Sequence, residues 1–233
     1  MSEAAHDVAV WQAGLDQPLD PGLLGALAPE ERARAARFAH PGRRQAYQLA
    51  RALLRHVLAG ELGTRPDDLR FELGPHGKPE LRPAADIHFN LSHSGKVVVL
   101  AVSRRVVGVD VEQLRPGLDH HALAERFFSL RERRQLARVA PPARRAAFFA
   151  TWTRKEAVLK AWGVGLSLPL DSFDVSVPGS GPPAVLAVRR GPGAGGRWSL
   201  HDLDAGPGYA GAVAVAGPPG ALHWRPWPSP PTG

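Results

Sequence analysis

The segment Trp152-Thr-Arg-Lys-Glu-Ala-Val-Leu-Lys-Ala-Trp-Gly163 places charged side chains inside an apolar helical stripe. At 3.6 residues per turn, the stripe of the predicted helix consists of Phe148, Phe149, Trp152, Leu159 and Trp162. Lys155 and Glu156 point into it, and Lys160 lies one turn beyond Glu156. An ionised carboxylate facing a core is unfavourable unless it is paired or binds a metal. The pattern therefore predicts a cation beside Glu156.

The elements predicted around this helix run from helices to strands, twice over, which favours an α+β fold. The predicted helices cover residues 29–38, 46–58, 123–139 and 143–162. The predicted strands cover residues 8–11, 87–93, 97–102, 106–111, 173–177, 184–188, 198–203 and 210–216. We therefore predict two α+β halves, residues 1–115 and 116–217, followed by a weakly ordered tail rich in proline and glycine at residues 218–233.

Composition narrows the function classes without choosing among them. The 233 residues include no cysteine, which excludes disulfides and thiolate metal sites and makes a cytoplasmic location our expectation. No apolar run approaches the ~18 residues that a membrane span needs, and the start of the chain lacks a signal-peptide pattern. The net charge of +7 predicts an anionic partner. Nucleic acid, an acidic protein surface and a polyphosphate cofactor all remain open.

A second acidic motif, Gly108-Val-Asp-Val-Glu112, lies in a predicted strand. Asp110 and Glu112 would share one face, about 7 Å apart, and would repel each other without a cation nearby. Carboxylate oxygens suit Mg²⁺. Taken alone, the motif is equally typical of a solvated edge strand. Together with Glu156 it predicts a three-carboxylate metal site.

Two further motifs suggest ligand contact rather than covalent chemistry. In Asn90-Leu-Ser-His-Ser-Gly95, Ser92 and His93 are neighbours on an extended segment and point to opposite faces, which argues against a Ser–His nucleophile pair. Contact with phosphate oxygens is the better use, and a plain polar turn is the alternative. Gly77-Lys78-Pro79 either lets a ligand approach the backbone or is a surface turn.

Read in order, these motifs resemble the 4′-phosphopantetheinyl transferases of the larger, surfactin-synthetase-activating (Sfp-like) type. The resemblance spans roughly residues 25–216. It includes three further segments: Arg126-Phe-Phe-Ser129, Gly165-Leu-Ser-Leu-Pro-Leu-Asp-Ser-Phe173 and, more faintly, Gly206-Pro-Gly-Tyr209. The W-x-x-K-E-A form of the helix resembles that of enzymes that activate polyketide synthases and nonribosomal peptide synthetases.

The resemblance implies transfer of the phosphopantetheine arm from coenzyme A to a serine of an apo acyl or peptidyl carrier protein, with release of 3′,5′-ADP. It also implies a pseudo-twofold pair of α+β halves with the site in the cleft between them. We expect a monomer that spans no membrane and binds no nucleic acid.

The same resemblance assigns roles to individual residues. The implied Mg²⁺ ligands are Asp110, Glu112 and Glu156, and the implied catalytic residues are Glu156 as base, Lys160 and Asp110. The implied coenzyme contacts are Lys155 and Lys160 at the pyrophosphate, Ser92 and His93 at the phosphates, Gly77, Lys78 and Pro79 at the adenine side, and Arg34, Arg44 and Arg51 at the 3′-phosphate.

Two rival hypotheses stay open at this point. A catalytically silent homologue could bind coenzyme A or a carrier protein without transfer, although the intact carboxylates and lysines argue against it. A basic nucleic-acid-binding protein would explain the net charge. It would leave the three carboxylates unexplained, and the chain lacks basic motifs interleaved with aromatic residues.

Overall fold

A computed structural model describes residues 7–16, 20–74, 76–194, 196–225 and 227 of the chain. It confirms an α+β fold. The helices are α1 (Pro21–Gly25), α2 (Pro29–Ala36), α3 (Pro41–Leu62), α4 (His120–Phe127), α5 (Leu130–Arg138) and α6 (Pro141–Trp162). The strands are β1 (Val8–Gly14), β2 (Arg70–Leu73), β3 (Pro79–Arg82), β4 (His88–Ser94), β5 (Val97–Ser103), β6 (Val107–Gln113), β7 (Phe173–Val175), β8 (Val185–Val188), β9 (Trp198–Leu203), β10 (Tyr209–Ala216) and β11 (Leu222–Arg225).

Two main sheets organise these strands. The first has the order β11-β1-β5-β4, and the second has the order β6-β10-β9. Strands β2 and β3 form one separate hairpin, and β7 pairs with β8 in another. Among the described residues, no helix is long and apolar enough to cross a membrane.

Two strands, β6 and β11, pair with strands that are distant in the sequence. Strand β6 follows β5 along the chain but pairs with β10, so the division between the two main sheets falls before residue 107. The division of the chain into halves at residue 115 stays a prediction. Strand β11 lies in the segment expected to be a weakly ordered tail, and it pairs in parallel with β1. Residues 226 and 228–233 of that predicted tail lie outside the described residues.

Side chains of β4 connect the two sheets. Asn90 Oδ1 accepts the Val109 N–H at 2.8 Å, Ser92 Oγ accepts the Val111 N–H at 3.3 Å, and Ser94 Oγ accepts the Gln113 N–H at 3.1 Å. Side chains of alternate β4 residues thus accept hydrogen bonds from backbone N–H groups of β6. The backbone carbonyls of a neighbouring strand would otherwise accept these bonds. This arrangement fixes β6 beside β4 although the two strands belong to different sheets.

Helix α6 packs unusually close to β6 because of Gly108. A Cβ at Gly108 would lie 2.1 Å from Ala157 O and 2.2 Å from Ala161 N, so only glycine fits. The neighbouring strand β10 also contributes small residues to the packing against α6. Ala212 and Ala214 of β10 are fully buried in the same core cluster as Ala157 of α6. The close packing brings residues 158–160 of α6 next to β6, the strand that carries Asp110.

Candidate active site

An ion pair joins helix α6 to strand β6. Lys160 Nζ lies 2.6 Å from Asp110 Oδ1 and donates to Ser92 Oγ at 2.8 Å, and Ser92 Oγ in turn donates to Asp110 Oδ1 at 2.9 Å. The other oxygen, Asp110 Oδ2, is buried and has no hydrogen-bond partner within the described residues. A buried carboxylate oxygen in this state is suited to a cation.

Glu156 on α6 interacts electrostatically with Asp110 and Glu112 on β6, and we call the region around these three carboxylates the cleft. Burial, together with the charges of Asp110 and Glu112, raises the pKa of Glu156 to about 7, and Lys160 partly opposes the rise. Burial likewise raises the pKa of Asp110, against the effect of Lys160 and Ser92. Nevertheless, in the ranges of chain that the structure describes, no three acid or histidine side chains form a ready metal-ligand cluster.

Glu112 and His93 lie at the edge of this cleft. Glu112 Oε2 accepts a hydrogen bond from Ser94 Oγ at 2.7 Å and lies 3.3 Å from the Arg115 guanidinium. Desolvation and the nearby Lys160 ammonium lower the pKa of His93, while Glu112 raises it. Both charged groups therefore act on the His93 imidazole, and its contact with a phosphate stays a prediction.

The structure places two predicted coenzyme contacts differently. Lys155 is fully buried, and its Nζ bonds Glu132 Oε1 at 2.5 Å and Phe173 O at 2.7 Å. Its ammonium therefore lies in the core between α5 and β7 and not beside a phosphate, which corrects the sequence prediction. The Ser92 hydroxyl donates to Asp110 and accepts from Val111 and Lys160, so all its hydrogen-bonding capacity is used within the protein.

A basic cleft of about 810 Å³ lies between α2, α3 and the β2–β3 hairpin. It brings together four of the predicted coenzyme residues: Arg34, Arg51, Gly77 and Pro79. Arg44 does not line it and instead donates to Phe38 O at 3.1 Å. Arg51 is held in place by Glu31, whose other oxygen binds the buried Arg55 at 2.6 Å.

Lys78 lies between the basic cleft and the ion pair. Its Nζ donates to Val107 O at 3.1 Å and Lys160 O at 2.9 Å, and desolvation lowers its pKa to about 8. A cavity of about 230 Å³ lined by Lys78, Asn90 and Lys160 shares Gly77 and Pro79 with the basic cleft. Contrary to the sequence prediction, the Lys78 ammonium is bonded to backbone carbonyls at the start of β6 and the end of α6.

Sequence reasoning missed several residues of the basic cleft. Arg37, Phe38, Tyr47 and Phe71 line it, with Arg34 above the Tyr47 ring at 5.4 Å and Arg51 above the Phe71 ring at 4.9 Å. The spacing of Arg34 and Arg37, three residues apart on a helix, was an available signal for a shared face. Phe71 carried no such signal, because its position depends on how a hairpin packs against a helix.

Comparison with known proteins gives consistent matches along the chain. Residues 106–214 match the family model described as the 4′-phosphopantetheinyl transferase superfamily, and residues 18–105 match the model described as 4′-phosphopantetheinyl transferase, N-terminal. The two matches meet just before β6, where the sheets also divide.

Individual relatives resemble most of the chain. It is 35% identical over 228 residues to the 4′-phosphopantetheinyl transferase HetI of Nostoc sp., covering 95% of this chain and 91% of the relative. It is 32% identical over 209 residues to the 4′-phosphopantetheinyl transferase Sfp of Bacillus subtilis, covering 88% of this chain and 90% of the relative. A solved structure, the holo-[acyl-carrier-protein] synthase of Thermotoga maritima, has a TM-score of 0.37 and 25% identity, covering 47% of this chain and 61% of that one.

Proposed function

The chain belongs to the 4′-phosphopantetheinyl transferase superfamily, and on this basis we propose how its residues carry out the reaction. The protein transfers the phosphopantetheine arm of coenzyme A to a serine hydroxyl of an apo carrier protein, and 3′,5′-ADP leaves. The observation that carries the proposal is the Lys160–Asp110 ion pair beside the partnerless, buried Asp110 Oδ2. The ion pair places the Lys160 ammonium next to a carboxylate that still has one oxygen, Asp110 Oδ2, without a described partner.

Coenzyme A is proposed to lie along a path of positive charge. Its 3′-phosphate and adenine occupy the basic cleft near Arg34 and Arg51, where aromatic rings also offer stacking surfaces. The path continues past Gly77 and Pro79, which line both cavities, and ends at Lys160. The pyrophosphate then lies between Lys160 and His93.

The oxygen donors present suit Mg²⁺ in type, although among the described residues they do not converge on a preformed metal site. Asp110 Oδ2 is buried with no described partner, and burial together with the charges of Asp110 and Glu112 raises the pKa of Glu156. An all-oxygen donor set of this kind suits a hard divalent ion. Asp110, Glu112 and Glu156 would hold it. When bound, the ion neutralises charge on the pyrophosphate.

The remaining steps belong to the side chains. Phosphoryl transfer depends mainly on positioning and on stabilising charge. Lys160 stabilises the charge that develops on the departing phosphate, since its ammonium lies beside Asp110 and its side chain keeps 29% exposure. Glu156, one turn earlier on α6, accepts the proton of the carrier serine, directly or through a water.

The partner is proposed to be an acidic carrier domain. The net charge of +7 favours encounter with an acidic surface. The W-x-x-K-E-A form of the helix supports carriers that belong to polyketide synthases or nonribosomal peptide synthetases. The protein would act as a monomer, because a single chain supplies both sides of the cleft.

One assay tests the reaction and the site. The protein is incubated with coenzyme A, Mg²⁺ and a panel of apo carrier proteins, and mass spectrometry looks for a mass gain of ~340 Da. Glu156→Gln should lower the initial rate at least about 100-fold, whereas Glu61→Gln, at an exposed position of α3, should not. Wild-type protein that binds coenzyme A but modifies no carrier would be a silent homologue. An active Glu156→Gln variant would remove Glu156 from the site.

A further inference from the structure

We propose that Ser94 is a positioning residue that holds the Glu112 carboxylate for a divalent cation. This role rests on the proposed function. The inference comes from a hydrogen-bond pattern that occurs twice between β4 and β6. Ser92 and Ser94 alternate on β4, and Asp110 and Glu112 alternate on β6, so each serine faces one carboxylate.

The two serines make the same pair of hydrogen bonds, displaced by two residues. Ser92 Oγ donates to Asp110 Oδ1 at 2.9 Å and accepts the N–H of the next residue, Val111, at 3.3 Å. Ser94 Oγ donates to Glu112 Oε2 at 2.7 Å and accepts the N–H of the next residue, Gln113, at 3.1 Å. In each unit the backbone N–H fixes the hydroxyl, so its single proton is directed at the carboxylate.

The consequence is that one oxygen of each carboxylate is held while the other remains available. Asp110 Oδ1 takes the bonds from Ser92 and Lys160, and Oδ2 has no partner in the described part of the chain. The described bonds to Glu112, from Ser94 and Arg115, both reach Oε2. Oε1 is therefore the oxygen that Glu112 presents to a cation.

Glu112 needs this support more than Asp110 does. Its side chain has one more rotatable bond and is 23% exposed, against 5% for Asp110. Removing a residue that hydrogen-bonds to a metal ligand typically lowers the metal affinity by about 10- to 100-fold. Within the described residues the Ser94 hydroxyl bonds only Glu112 and Gln113, so its removal leaves the Lys160–Asp110 ion pair intact.

The experiment measures Mg²⁺ binding by isothermal titration calorimetry on the full chain, without substrate. Ser94→Ala should raise the Mg²⁺ dissociation constant about tenfold, and Ser94→Thr, which keeps the hydroxyl, should restore most of the affinity. Ser199→Ala is the matched control, because Ser199 also lies on a strand and its hydroxyl also donates within the protein, to Gly217 O at 2.7 Å. In steady-state assays, Ser94→Ala should raise the Mg²⁺ concentration for half-maximal rate, while the KM for coenzyme A at saturating Mg²⁺ stays unchanged.

The outcomes separate the inference from the proposed function. If Ser94→Ala binds Mg²⁺ as tightly as the wild type, the positioning role is wrong and the transferase proposal stands. A loss of thermal stability equal to that of Ser199→Ala with unchanged Mg²⁺ affinity would likewise reduce Ser94 to a structural residue. If the wild type transfers phosphopantetheine but binds no Mg²⁺, both the metal assignment and the role of Ser94 are overturned.

Discussion

Lys160 Nζ on α6 and Asp110 Oδ1 on β6 lie 2.6 Å apart, and their side chains are 29% and 5% exposed. The pair is possible because Gly108 lets the helix approach the strand. The ion pair joins α6 to β6, the strand that lies beside β4 of the first sheet. The expected effects of the following substitutions depend on this geometry.

Asp110→Asn should abolish most of the activity while preserving the volume of the side chain. The change leaves Lys160 without its carboxylate partner and removes one charge from the proposed metal site. We expect the transfer rate to fall at least about 100-fold, measured by mass spectrometry of the carrier. Asp67→Asn is the control, because its pair with Arg65 is exposed. Near-wild-type activity of Asp110→Asn would contradict the site.

Glu132→Gln should destabilise the fold because it leaves the buried Lys155 ammonium without a counter-charge. Both side chains of the pair are fully buried. Breaking such a pair typically costs about 3–5 kcal/mol, which urea denaturation would detect. The double variant Glu132→Gln/Lys155→Met should recover part of this loss and keep measurable activity. A stable double variant with no activity would return Lys155 to a role at the phosphates.

Gly108→Ala should separate α6 from β6 and damage both stability and activity. The added Cβ would overlap backbone atoms of Ala157 and Ala161, which cannot move as a side chain could. We expect a loss of about 3 kcal/mol or more. Gly60→Ala in α3, where a Cβ meets nothing within 4 Å, should instead stabilise by about 0.5–1 kcal/mol. Equal melting temperatures for the two variants would contradict the packing.

Arg34→Ala should weaken coenzyme A binding through the 3′-phosphate. We expect the KM for coenzyme A to rise about tenfold, the loss of one charge-assisted contact. The KM for 3′-dephospho-coenzyme A should change little. Arg44→Ala should have a smaller effect on both substrates, because Arg44 lies outside the basic cleft. Equal effects of Arg34→Ala on both substrates would place the 3′-phosphate elsewhere.

Because the Lys78 ammonium is desolvated, we expect the free energy of unfolding to depend on pH in a specific way. Desolvation lowers its pKa in the folded state from 10.5 to about 8, so between these values the unfolded chain binds more protons at this site than the folded chain. The contribution of Lys78 to the free energy of unfolding therefore increases as the pH rises from about 8 to 10.5. Urea denaturation of the wild type and Lys78→Met across this range isolates the contribution. Parallel curves would contradict the burial of the ammonium.

Local sequence indicated most of the elements and the acidic residues of the cleft. It predicted one helix over residues 123–139, where the structure has α4 and α5, and it did not predict α1, β2, β3 and β11. Strand β9 has the predicted bounds, and the neighbouring strands differ by one or two residues, because alternation and turn residues are local signals. The acids of β6 and α6 were also identifiable, since an ionised group on an apolar face requires a nearby partner whatever the fold.

Tertiary structure alone decided which elements and side chains meet. Lys155 and Lys160 both flank Glu156 in sequence, but α6 is covered on two sides. One lysine therefore turns into the core toward Glu132 and the other into the cleft toward Asp110. The sheet that receives β6 depends on pairing Asp110 with Ala212, and β11 joins β1 by pairing Leu222 with Val8. Such pairings join residues far apart along the chain, and their free energy depends on the partner surface, which no local spacing encodes.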